Sequence, residues 1–452
     1  MEPRFIDCDR HTLFLMPPSM EDWLPENHLA RFVVDIVSRL EISPIQNVYA
    51  GRGSDAYPPT MMLALLFYAY ATGVFSSRKI EKATYDSVAF RYIAANTHPD
   101  HDTIATFRKR FLKELKALFT QILMIAHEMG VMKLGTVSLD GTKIKANASK
   151  HHALSWQYAC RLEEQLKGEI QELLRKARKA DKEDLPEGMS IPDELARREA
   201  RFEAIAVAKK QIEQRAADRF AKEQEAYQDK LAQRNAKQKR TGKKPGGRPP
   251  KPPKPGPKSK DQVNLTDKDS RIMPDSGGGF EQAYNAQASV EIDSLLIVEN
   301  HITQQPNDKL ELIPAVDNLT KLPKKLGAVD SLLADTGYFS QNNVEKCKNN
   351  DMVPYISTER QKHNIAIEDR FTDPDPFPAS TDPVMEMKHR LKTKTGKALY
   401  AKRKCTVEPV FGIIKAAMGF RQFLLRGLEL VAGEWDLVCM AYNIKRLHAL
   451  TP

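Results

Sequence analysis

The chain has 452 residues, 41% hydrophobic and 28% charged, enough for two or three domains with a buried core. Its formal net charge of +10 is carried by residues 237–260, which hold ten Lys and Arg and no acid, leaving 59 basic against 59 acidic side chains elsewhere. Five scattered cysteines without a CxxC pair argue against a disulfide framework or a zinc ribbon, the acid-bearing N-terminal sequence is not that of a signal peptide, and the longest apolar stretch, 61–75, falls short of the about 20 residues a membrane span needs; a reducing cytosol is expected.

Residues 1–130 read as mainly helical. Pro58 and Pro59 suit a helix start, and 60–71 follows as a strongly apolar helix. Ser76-Ser77 opens a second segment that His98-Pro99-Asp100 ends. Asp102 reads as the N-cap of one long helix over 103–130, with Ile104, Phe107, Phe111, Leu115, Leu118 and Ile122 as its apolar stripe. Helix, break, helix is compatible with a helix-turn-helix DNA-binding module in which Arg108-Lys109-Arg110 faces phosphates; a helical hairpin with a solvated basic face gives the same pattern.

Residues 134–148 alternate around Asp140-Gly141-Thr142, a hairpin-like pattern with a DG turn signal. From Trp156 to about Arg240 the charged helical sequence, with sparse apolar positions and divided near Pro186 and Pro192, reads as an exposed hairpin or coiled coil. Residues 237–260 contain seven prolines and four glycines and read as disordered or polyproline-like. Lys243, Lys244 and Arg248 are its candidate phosphate contacts. Gly246-Gly247-Arg248-Pro249 resembles the core of a minor-groove hook but lacks the preceding Arg, so a solvated basic linker is the preferred reading.

Structure resumes after Asn264. Residues 283–292 and 295–303 read as a strand pair across Asp293-Ser294. A helix over 309–319 follows, its start blurred by Pro314. A short buried strand, 332–335, ends at Thr336-Gly337-Tyr338; then come a helix over 342–349, a strand over 353–356, a polar proline-rich stretch over 358–385, and helices over 399–418 and 432–450. The order β–β–β–α–β–α–β–α predicts an α+β mixed sheet flanked by helices.

Three acids stand where a metal site would put them: Asp140 and Asp335, each ending an apolar strand, and Glu408 in a late amphipathic helix. Phosphoryl transfer on DNA calls for two hard divalent cations on oxygen ligands, which such a set can supply. Each acid alone also reads as a turn or cap residue. No His/Cys set has zinc-ligand spacing, and no GxxxxGK[ST] loop is present. Lys415 lies seven residues beyond Glu408, on the same side of a regular helix, though Pro409 makes that helix start or kink at Glu408. Asp330, Glu429 and Glu434 compete with the chosen acids but lack their context. Trp435 reads as core.

Asp140 in VSLDGTKIKANAS, Asp335 in LLADTGYFS and Glu408 in YAKRKCTVEPVFGIIK, together with the NLTDKDSRIM…AYNAQASVEI and LPENHLARFVVDIV…YAGRGSDAYPPTMM segments, resemble the DDE-type transposases of bacterial insertion sequences over nearly the whole chain. The resemblance implies an RNase H-like catalytic core, two Mg²⁺ ions (Mn²⁺ substituting) on Asp140, Asp335 and Glu408, and a transposase that binds its own element's terminal inverted repeats, cleaves double-stranded DNA and transfers strands into a target. It implies a dimer in the synaptic complex and a cytoplasmic, nucleoid-associated location. The family's third motif spaces Tyr, Arg, Glu and Lys by two, three and six residues. Tyr400 to Arg403 and Glu408 to Lys415 keep their gaps, but four residues separate Arg403 from Glu408, so Arg403 or Lys404 fills the Arg position. The implied organisation is a DNA-binding helical domain over 1–130, a catalytic core over 131–150 and 264–452, an inserted helical segment over 151–236 and a basic linker over 237–263. The alternatives are an inactive DNA-binding relic and a nuclease that hydrolyses without joining.

Overall fold

A computed structural model describes residues 19–49, 56–179, 191–242, 246–275, 277–358, 374, 376 and 382–451. Lys243 and Lys244 lie outside them. The chain divides into two compact units, one of residues 1–144 with 284–452 and one of residues 145–283.

The first unit begins with helices α1 (Leu29–Ser38), α2 (Ser43–Gln46), α3 (Pro59–Ala71), α4 (Ser77–Asp86), α5 (Val88–Ile93), α6 (His101–Arg110) and α7 (Leu112–Glu128). Every residue of α3 from Met62 to Ala71 is buried, as befits a helix apolar on all sides. Two details differ from the sequence reading. Asp100, not Asp102, caps α6, its carboxylate accepting from Thr103 N at 2.8 Å. The long helix is broken at Phe111, whose φ of −109° and ψ of 17° separate α6 from α7. Phe111 is buried, so packing overrides the continuous periodicity.

Strand β1 (Thr136–Lys145) runs unbroken through Asp140-Gly141; the expected hairpin turn does not form. The reason is steric. A Cβ on Gly141 would lie 2.1 Å from Gln287 Nε2 and 2.7 Å from Asp308 Oδ1, so the glycine admits close neighbours rather than a turn.

The second unit holds β2 (Ala153–Ser155), α8 (Trp156–Lys179), α9 (Ile191–Thr241), β3 (Gln262–Asn264) and β4 (Arg271–Pro274). The two helices form a hairpin with a core of its own. Leu154, Ala159, Leu162 and Leu166 meet Ile205, Ala208, Ile212 and Val263, flanked by Trp156 and Phe202. Ion pairs Lys209–Glu163 (2.5 Å) and Arg198–Glu169 (2.9 Å) fix the antiparallel register. The segment read as disordered begins inside α9, which carries Lys237, Lys239 and Arg240 to its end at Thr241. Strand β4 pairs antiparallel with the first residues of β5 (Phe280–Glu291).

Back in the first unit come β6 (Ile297–Thr303), α10 (Leu312–Leu319), β7 (Ser331–Ala334), α11 (Gln341–Lys348), β8 (Val353–Ile356), α12 (Pro383–Arg390), α13 (Lys394–Ala401), α14 (Val407–Gly412) and α15 (Leu428–Leu450). The strands order as β6–β5–β1–β7–β8. Strand β6 is antiparallel to β5, while β7 is parallel to both β1 and β8. This is the expected mixed sheet flanked by helices. The expected single helix over 399–418 is four pieces: α13, a 3-10 turn over Lys402–Cys405, α14, and a π turn over Ile413–Ala417.

Helix α15 joins the sheet to the N-terminal helices. It packs on α3, α7 and β6. Asn443 clips Ile297 through both backbone groups (2.9 and 2.8 Å), and Trp435 Nε1 donates to Gln287 O at 3.1 Å. Its buried Glu434 accepts from Tyr70 Oη (3.0 Å), Leu424 N (2.9 Å) and Leu425 N (3.0 Å). Arg108 completes this network from α6, donating to Tyr70 Oη and Phe75 O, both at 3.0 Å. Arg108 is only 6% exposed, so its expected contact with DNA phosphates is replaced by an internal one. Lys109 and Arg110 are exposed.

Candidate active site

The site grows from the β1–β7 register. Parallel pairing sets Leu139 opposite Ala334, so the next residues, Asp140 within β1 and Asp335 just past the end of β7, stand side by side. Asp335 caps the turn Thr336–Tyr338, its Oδ1 accepting from Gly337 N at 2.8 Å; these three residues present Asp335 as the sequence indicated. Asp140 Oδ1 accepts from its neighbour Gly141 N at 2.8 Å. Burial pushes the Asp140 carboxyl up to about 6; the Gly141 N–H and Arg403 pull it down, and the negative charges of Asp335 and Asp308 add to the rise.

The broken helix supplies the other groups. Arg403, in the 3-10 turn, is buried and donates Nη1 to Asp140 Oδ2 at 3.3 Å and Nη2 to Glu408 Oε1 at 3.1 Å. Its Nε is buried without a partner. Lys404 points to solvent. The extra residue between Arg403 and Glu408 is absorbed where Thr406 takes φ −111° and ψ −81°. Glu408 stands in the first turn of α14, with half its side chain exposed. Tyr400 Oη reaches Ala334 O at 3.3 Å, bracing the strand end beside Asp335. Lys415 lies in the π turn, so regular two-turn spacing from Glu408 does not hold; its Nζ instead bonds Thr142 Oγ1 and Lys143 O (3.0 Å) on β1, just past Asp140. Wide turns of this kind recur at functional sites.

Asp335 joins Asp140 through the sheet, and Glu408 joins it through Arg403. Among the described residues no three acids, imidazoles or thiols converge as a metal-binding group; the Arg403 guanidinium lies between Asp140 and Glu408. The competing acids have other duties: Glu434 is bonded inside the core, Glu429 pairs with Lys113 at 2.9 Å, and Asp330 is exposed.

Sequence reasoning missed a polar cluster behind Asp140. Asp308 Oδ1 accepts from Asn285 Nδ2 (2.6 Å), Gln287 Nε2 (2.8 Å) and Lys143 Nζ (3.3 Å), and Tyr338 Oη donates to Gln287 Oε1. Asn285, Gln287, Ser289 and Glu291 alternate along β5 and are all buried. The available signal was amides, rather than charges, on the polar side of a strand.

A family model described as "Transposase domain (DUF772)" matches residues 18–110, and one described as "Transposase DDE domain" matches residues 343–448. Both matches are to transposase families and support the resemblance to the DDE-type insertion-sequence transposases. Comparison with curated proteins and with solved structures returns no match. The mixed sheet flanked by helices is the RNase H-like arrangement that the DDE match implies. The DDE span holds Tyr400, Arg403, Glu408 and Lys415, whereas Asp140 and Asp335 lie outside both spans and are tied to it by the contacts above. No helix among the described residues is long and apolar enough to cross a membrane.

Proposed function

We propose that the transposase binds the terminal repeats of its own element as a dimer, and cleaves and transfers DNA strands at the centre formed by Asp140, Asp335 and Glu408. The observation that carries this reading is the parallel register setting Asp140 beside Asp335, with Arg403 holding Asp140 and Glu408 together. The donor set suits a divalent cation by its chemistry: three carboxylates are hard oxygen ligands, and two of them, Asp140 and Glu408, already share one cation, the Arg403 guanidinium. Asp140, Asp335 and Glu408 would hold Mg²⁺ or Mn²⁺, which when bound supplies Lewis-acid stabilisation of the attacking and leaving oxygens.

The chain's own groups do the rest. Arg403, always cationic, orients both carboxylates. Lys415, beside Thr142 and Lys143, places a second cation at the strand carrying Asp140, where it can orient a scissile phosphate. Tyr400 keeps the Asp335 strand end in register. Exposed Lys109 and Arg110 supply phosphate contacts, and Lys404 adds surface charge near the DNA. The transposase works in the cytoplasm, on nucleoid DNA.

The test is incubation of the purified chain with end-labelled DNA from the two flanks of its gene, with Mg²⁺ or Mn²⁺, beside Asp140→Asn and Asp335→Asn. Metal-dependent nicks at a repeat boundary, absent in both variants, are expected. Equal cleavage by wild type and variants overturns the assignment; binding without a nick in the wild type marks an inactive relic, and cleavage without joined products a nuclease.

A further inference from the structure

The cationic segment is not a loose tail. Beyond α9 the chain turns back along it and is pinned at several points. Arg234 Nη2 donates to Gly247 O at 2.9 Å, and Arg219 donates to Gly256 O at 3.4 Å and grips both Asp261 oxygens at 2.8 Å. Lys258 N adds a bond to Asp261 Oδ2 at 2.7 Å. Gly247 and Gly256, with φ of +85° and +84°, bracket the stretch between the pins, conformations glycine adopts without strain.

Between those glycines every residue from Arg248 to Pro255 is a proline or directly precedes one. Proline fixes its own φ near −65°, and a following proline drives a residue toward extended backbone. These restrictions favour a polyproline II helix, with three residues per turn, between the pins. Arg248, Lys251 and Lys254 recur every third residue and fall on one edge, about 9 Å apart at about 3.1 Å rise per residue. All three are exposed, whereas Pro250 and Pro253 are partly buried. The pins and the prolines together make a stiff row of cations.

We propose that Arg248, Lys251 and Lys254 form a preformed edge that docks on the phosphate backbone of duplex DNA without reading sequence. The choice of duplex DNA as the polyanion rests on the proposed function. Charge complementarity selects it: the ten-cation stretch 237–260 contains no acid, and a duplex carries one charge per about 1.7 Å of axis. Stiffness matters because the row does not have to be ordered on binding.

The test measures binding of the full-length chain, carrying Asp140→Asn and without divalent metal, to a fluorescent 30-bp duplex of arbitrary sequence across 50–300 mM KCl. The triple variant Arg248→Gln, Lys251→Gln, Lys254→Gln is expected to flatten the log–log salt slope by about 2.7, from about 0.9 per released counterion. A second variant with Pro249, Pro250, Pro252 and Pro253 each changed to Gly keeps every cation and is expected to bind several-fold more weakly with a similar slope. An unchanged slope in the triple variant, unchanged affinity in the glycine variant, or preferential binding to phosphatidylserine vesicles overturns the proposal. Repeat-boundary nicking by the Asp140-intact chain scores the catalytic reading separately, so the two can fail independently.

Discussion

Gly141 bears on function although it carries no side chain. Its Cα position lets Gln287, Asp308 and Asn285 close over β1 beside Asp140. Gly141→Ala overpacks that contact and is expected to destabilise the first unit by about 1–3 kcal/mol and to lower nicking; thermal melting and the flank-DNA assay read the two effects. Arg108→Ala should cost about 2 kcal/mol, because charged hydrogen bonds to Tyr70 Oη and Phe75 O are lost, while leaving the salt slope of DNA binding unchanged. A slope reduced by about one unit would return Arg108 to the DNA surface. His301 lies between Glu299 (2.8 Å) and Glu311 (3.3 Å). Burial opposes its charge, but the two carboxylates outweigh it and raise the imidazole to about 9 from an ordinary 6.5. A raised folded pKa means the stabilisation is complete below about pH 6.5 and is lost as pH rises through about 9. The wild type should therefore lose stability across that window, by about 3 kcal/mol at most, and His301→Gln should show a flatter melting curve between pH 6 and 10.

The elements show which sequence signals carried information and which misled. Alternation located β5 and β6, and the short apolar runs before Asp335 and at 353–356 located β7 and β8. The DG dipeptide misled, because a glycine required by close packing and one required by a turn look alike in a single sequence. On β5 the polar half of the alternation is buried beneath Asp308 and Glu299, so alternation revealed the strand but not its polar interior. Asp308 escaped because it sits in a connection with no period to mark it. Arg403 could be distinguished from Lys404 only once burial and the two carboxylate contacts were visible. The α8–α9 hairpin was read as sparse in apolar residues, yet those residues converge on one core. Ile212→Ala, at a site 1% exposed, should cost about 2–5 kcal/mol and show as faster proteolytic cleavage within α8 and α9.

For the molecule as a whole, charge is segregated rather than spread. Replacing all ten cations of 237–260 by Gln brings the formal net charge from +10 to zero. The expected outcome is loss of retention on a phosphate-bearing resin and lower solubility near neutral pH, read by elution salt and by turbidity. The segregation has a counterpart in the order of synthesis. Asp140 waits 195 residues for Asp335 and longer still for Glu408. At about 5–20 residues per second, the second acid arrives about 10–40 s after the first. Arg108 and Tyr70 wait longer for Glu434, on a helix of which Trp435, Val438 and Ile444 are also fully buried. A chain still on the ribosome thus holds its N-terminal helices before it holds a complete set of carboxylates, and the helix carrying Glu434 that closes their core follows the last of those acids.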